Sequence, residues 1–203
     1  MWALIEDSEI VKIINNPKAM VIGDTQYSRN IFSFRWTNEE REAIGLYEIV
    51  FDNTNKKDEA YYTNTNQSFA FADGVVTASY GSATTKPHAD TLFTAQDEID
   101  GKGTEGEVAV EGLKTVRIRT VKQQAAGELQ NTDWYVVRKA DAGTAVPSAI
   151  TTHRAAVRTK CAEMETAITN AADTPALETL YTYTRQEDDS VTRPLGELPR
   201  LES

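Results

Sequence analysis

"AYYTNTNQSFAFADGVVTASYG", residues 60–81, holds two runs rich in aromatic and β-branched residues with Asp73-Gly74 between them. Asp-Gly accepts the positive φ angles that a tight hairpin turn demands, so the stretch predicts two antiparallel strands. The second half of the chain has a different period. In "ITTHRAAVRTKCAEMETAITNAA" (150–172), Val157, Cys161, Met164 and Ile168 step by 4, 3 and 4, which places them on one face of a helix. Strands early and helices late predict an α+β fold.

Other segments extend each half. "WALIEDSEIVKII" (2–14) breaks around Glu6-Asp7-Ser8-Glu9, and "AMVIGDTQY" (19–27) breaks at Gly23-Asp24. Both predict hairpins. "IFSFRW" (31–36) alternates, with Ile31, Ser33 and Arg35 on one side and Phe32, Phe34 and Trp36 on the other; this predicts a strand. "TNEEREAIG" (37–45) carries the capping-box pair Thr37 and Glu40, so it predicts a short helix ending at Gly45 before a strand at "LYEIVF". In the second half, "LKTVRIRTVKQQAAGEL" (113–129) spaces Leu113, Val116, Val121, Ala125 and Leu129 as a helix stripe. "DTPALETLYTY" (173–183) offers Thr174 as a cap and Pro175 as the first helical residue.

Charge divides the chain in the same place. Of 203 residues, 1–112 hold 9 Lys/Arg and 19 Asp/Glu, a balance of −10, whereas 113–203 hold 12 of each. The expected organisation is a β-rich module at 1–81, an acidic glycine-containing connector at 82–112, and a helical hairpin module at 113–203 ending in an extended tail. A net charge of −10 disfavours nucleic acid as a partner. The basic residues of 113–129 are not interleaved with aromatic ones, which points the same way. No apolar run reaches the roughly 18 residues of a membrane span, so no membrane insertion is expected.

"LQNTDWYVV" (129–137) sits between two helical patterns. Leu129 ends the first, and Asn131 suits the left-handed position that follows many helices. Thr132 and Asp133 are expected to accept backbone N–H bonds at the turn. Trp134 is expected to bury its ring and anchor a loop over 135–149.

The order Leu129, Thr132-Asp133-Trp134, a loop with Pro147, then a helix bearing Arg154 and Arg158 resembles the C-terminal region of phage tail fibre assembly proteins. His153 stands where that family has an aromatic, usually Tyr, and the proline- and tryptophan-bearing finish of the family is only loosely echoed by "RPLGELP". The likeness covers roughly residues 113–200. The N-terminal half is similar to uncharacterised proteins from tail gene clusters of marine tailed phages. The resemblance implies a non-enzymatic protein that helps fibre chains trimerise and in some members stays at the fibre tip. Its implied partners are tail fibre or other tail proteins, with a homo-oligomer compatible. Its implied location is the virion tail, or the host cytoplasm during assembly. A purely structural tail or fibre subunit is the alternative.

Patterns for chemistry are sparse. Glu98, Asp100, Gly101 and Glu107 fall at calcium-loop positions, but Gln96 opens the loop and Gly103 replaces its apolar residue; a solvated acidic loop is the better reading. The two histidines, His88 and His153, and the single cysteine, Cys161, show no metal-ligand spacing. No nucleophile elbow, phosphate loop or dinucleotide fingerprint is present, so neither cofactor nor catalytic residue is assigned.

Overall fold

The structure, a computed structural model, describes residues 1–201. It divides into two compact units, Met1–Thr84 and Thr85–Ser203.

The first unit is built on a five-stranded sheet. Its strands are β1 (Trp2–Glu6), β2 (Glu9–Ile14), β5 (Leu46–Asp52), β7 (Ser68–Ala72) and β8 (Val75–Ser79), in the order β2-β1-β5-β8-β7. A separate hairpin joins β3 (Met20–Ile22) to β4 (Thr25–Tyr27), and the short strands β6 (Tyr62–Thr63) and β9 (Thr84–Thr85) flank the β7–β8 hairpin. All neighbours in the large sheet are antiparallel except β5 and β8, which run parallel. That pairing depends on contacts between Ile49 and Val76 that local pattern does not encode.

Both expected turns of the large sheet form. Asp73 and Gly74 have φ of 50° and 77°, and Asp7 and Ser8 have 51° and 64°. Two consecutive positive φ angles match the right-handed twist of the flanking strands. The first hairpin carries a register shift between Leu4 and Ile5, because Val11 is an extra residue in β2. The bulge lets Ile10 and Ile13 share one face. There they join Ala3, Ile5, Ile49, Val76 and Ala78 in the main core, with Tyr47, Phe69 and Phe71 packed on it.

The opposite face of β1 is covered by a second cluster of Trp2, Ile14, Ile31 and Leu46. Here the sequence expectation fails. Residues 31–36 are not a strand; Arg29–Phe32 form a 3-10 turn followed by bends. Ser28 caps it, and Ser33 Oγ donates back to Asn30 O at 2.7 Å. These serine bonds to nearby backbone compete with a ladder. The alternation was misleading: Ile31 is buried, while Phe34 lies 94% exposed.

The helix α1 (Asn38–Glu42) has the expected capping box, with Glu40 N to Thr37 Oγ1 at 3.2 Å and Thr37 N to Glu40 Oε2 at 2.8 Å. Gly45 follows with φ of 77°, and a Cβ there would lie 2.5 Å from Ile5 O, so only glycine fits. From α1, Arg41 reaches under the second cluster. It donates to Ile31 O at 2.8 Å, Asn38 Oδ1 at 2.8 Å and Ser33 O at 2.6 Å, and stacks on Trp2. The 29–36 segment is thus held by one guanidinium. Arg41→Met should destabilise the first unit by about 2–4 kcal/mol, because two inward carbonyls lose charged donors; urea unfolding followed by tryptophan fluorescence measures it.

The second unit starts earlier than expected. Residues 82–112 are not an irregular connector. They contain β10 (Thr91–Leu92), α2 (Ala95–Ile99) and β11 (Val108–Val110), with β10 and β11 paired. Thr94 and Asp97 form a capping box for α2. Polar composition hid this segment, because its order comes from side-chain caps rather than a buried stripe.

Four helices complete the unit: α3 (Leu113–Gln130), α4 (Asp133–Ala142), α5 (Ser148–Asn170) and α6 (Thr174–Tyr181). α3 packs on α5, burying Leu113, Val121 and Ala125 against a stripe that includes Val157, Cys161, Met164 and Ile168. Gly112, the N-cap of α3, lies so close to the Ala89 backbone that no side chain fits, and its N–H donates to Asp90 Oδ1 at 2.7 Å. Caps differ in detail from expectation. Asp173, one residue before Thr174, caps α6 through Ala176 N at 2.8 Å. No side chain caps α5, which begins at Ser148 after Pro147.

The C-terminal segment is not simply extended. It forms a hairpin of β12 (Thr184–Arg185) and β13 (Val191–Thr192), and Leu195 buries its side chain while its N–H bonds Leu180 O at 3.0 Å.

Candidate functional site

The junction of α3 and α4 gathers four of the six residues singled out in the sequence. Leu129 closes the last turn of α3, and Asn131 and Thr132 make the break. Asn131 has φ −60° and ψ −18°, so it continues the right-handed turn instead of adopting the left-handed conformation expected of it. Thr132 is the buried residue of the motif. Its hydroxyl donates to Leu129 O at 2.9 Å and does not cap the next helix.

Arg154, on α5, holds this break together. Its Nη1 donates to Leu129 O at 2.8 Å and to Thr132 Oγ1 at 2.6 Å, and its Nη2 pairs with Asp133 Oδ1 at 2.8 Å. The residue is only 8% exposed. A planar guanidinium presents its donors from separate nitrogens in a fixed fork, so it spans these three oxygens, whereas a lysine has a single donor atom. Asp133 therefore works as the anionic partner of Arg154 at the first turn of α4. Its position also suits the positive end of that helix.

Trp134 and Arg158 lie outside the clamp. The expected buried anchor is instead 51% exposed, and 135–149 is not a loop, because α4 continues to Ala142. Gly143, at φ 70°, ends the helix in the left-handed conformation. No residue of α4 is buried, and Val136 and Val137 are exposed beside Trp134. Arg138 lies over the Trp134 ring at 4.6 Å, and the Trp134 and Tyr135 centroids are 4.0 Å apart. Such stacking covers part of each ring without removing the surface from water. Residues 133–142 read as an acid, four apolar or aromatic residues and then Arg138-Lys139-Ala140-Asp141-Ala142, and the acid at the start with Gly143 at the end is the signal by which this helix could have been found.

Arg158 sits one turn beyond Arg154 on α5. It borders an open groove of about 330 Å³ between α3 and α5, with Lys122, Ala126, Leu129 and Cys161. Burial and the Glu165 carboxylate at 3.4 Å both push the Cys161 thiol pKa up, which is unsuited to a reactive thiolate. His153 turns inward and is buried.

The acidic loop offers no cation cage. Lys102 pairs with Asp97 at 3.0 Å and Asp100 at 3.1 Å, and among the described residues no group of three or more His, Cys, Asp or Glu side chains could hold a metal ion. Thr94, through its hydroxyl and then its backbone N–H, and after it Lys102, hold the Asp97 pKa down at about 2. A lowered folded-state value means this loop contact is intact above the ordinary carboxylate range and is lost as pH falls toward 2. A carbon-detected NMR titration should place the Asp97 midpoint well below its ordinary value, and Thr94→Val should move it back up.

Among the described residues, no helix is long and apolar enough to cross a membrane. Comparison of the chain with family models, with curated proteins and with solved structures finds no match.

Proposed function

We propose that the chain is a non-enzymatic, phage tail-associated binding protein that assists assembly of fibre chains or stays with them as a tip or adaptor subunit. The supporting observation is the α3–α4 junction. The residues that carry the resemblance to tail fibre assembly proteins divide into a rigid clamp and outward surfaces. Leu129, Thr132, Asp133 and Arg154 fix the start of α4. Trp134 then stands on a helix that buries none of its own residues. An exposed Trp stacked with a tyrosine and an arginine has the composition of a protein-binding hot spot.

In this reading α4 covers apolar surface on unassembled tail fibre chains, or on another tail protein, until those chains interlock. The protein acts in the host cytoplasm during assembly or in the tail of the virion. Co-expression with the neighbouring fibre gene tests the assembly role: fibre trimers should form in higher yield with this chain present. Equal yield without it removes that role. The protein composition of purified particles then decides retention, and a stoichiometric subunit without effect on trimer yield is a purely structural tail protein.

A further inference from the structure

We infer that α4 of one copy docks in the α3–α5 groove of a second copy, so that the chain self-associates head to tail. The same unit carries an apolar helix without a cover and an apolar groove without an occupant. The groove between α3 and α5, about 330 Å³, opens at Lys122 and Ala126 onto an exposed apolar face lined by α3 alone. Groove and face together follow α3 from Thr115 to Leu129, about 21 Å at 1.5 Å per residue, and the ten residues of α4 need about 15 Å. No residue of α4 lines either of them in its own chain.

Charge fits the same pairing. Trp134, Val137 and Asp141 lie at i, i+3 and i+7, on one face of α4. Among the described residues neither Asp141 nor Arg158 has an ion-pair partner. The other groove cations are already paired, Arg119 with Glu111 and Lys122 with Glu165. A second copy seated with Trp134 and Val137 on Ala126 and Leu129 would bring its Asp141 to Arg158. The contact is heterologous, because the two surfaces differ, so each pairing leaves one helix and one groove free. The buried patch is small, as in weak and transient contacts.

The decisive experiment is sedimentation equilibrium of the full chain at about 10–500 µM, a range that brackets weak association. The wild-type mass should rise with concentration. Val137→Asp spoils the helix and Ala126→Glu the groove, so each should remain a monomer alone. An equimolar mixture should form a heterodimer, since the intact groove of one accepts the intact helix of the other. Both sites are exposed, and thermal melting by circular dichroism checks that each variant folds. Trp134→Ala replaces Val137→Asp if that variant melts early. Asp141→Arg and Arg158→Asp should each weaken association about three- to fivefold, and both together should restore it. A wild-type mass that stays constant, or a mixture that behaves like its components, overturns the inference. The readout is mass alone, so it fails or stands independently of the fibre assay.

Discussion

Arg154→Met should lower the stability of the second unit by about 2–4 kcal/mol, the largest loss expected from any single substitution at the α3–α4 junction. The value follows from what the guanidinium leaves behind. Charged hydrogen bonds contribute roughly 1.5–3 kcal/mol each, and two of them go to the inward-facing Leu129 O and Thr132 Oγ1. The loss is tempered because Thr132 still donates to Leu129 O through both its N–H and its hydroxyl. The Asp133 pair adds little, since that carboxylate is largely exposed. Arg154→Lys should recover less than half, because one ammonium cannot replace a planar fork. Thr132→Val should cost about 1–2 kcal/mol, and less in the Arg154→Met background, because the two side chains share one bond. Chemical denaturation of the four variants measures each term. Full additivity of Thr132 and Arg154 would show that the clamp is not a unit.

The strands and long helices were legible because each carries its own period. Val157, Cys161, Met164 and Ile168 were expected on one face of a helix and are buried there. Asp73-Gly74 was expected to turn and does. What escaped the sequence has separate causes. The parallel β5–β8 pairing joins strands distant in the chain, the 29–36 segment alternates like a strand but is held in turns by its serines and by Arg41, and the Thr94–Asp97 cap is local but lies in a polar stretch with no apolar period. At the junction the motif was visible, but its roles were reversed. Size suggested that Trp134 should be the buried group and Thr132 the surface cap. The structure buries Thr132, because a hydroxyl with two partners loses little on leaving water.

Trp134→Ala should leave melting nearly unchanged, within about 0.5 kcal/mol, while weakening partner binding by about 2–4 kcal/mol, or roughly 30- to 1,000-fold. A buried tryptophan would give the opposite result, a loss of about 3–5 kcal/mol in stability. The half-exposed ring decides between them. None of its neighbours on α4 is buried, so its removal opens no cavity in the unit. What it loses is the stack with Arg138 and Tyr135, an exposed contact of modest value. In a complex the same ring would be covered, and the transfer from water would be realised only there. Arg138→Ala should behave similarly but more weakly, because it frees the ring without removing it. Thermal melting beside binding to fibre protein or to a second copy separates the alternatives. A Trp134→Ala chain that melts early would return the residue to an anchoring role. One that melts normally and binds normally would mean that α4 is not the docking element, and the clamp of Arg154 would then be orienting a different face.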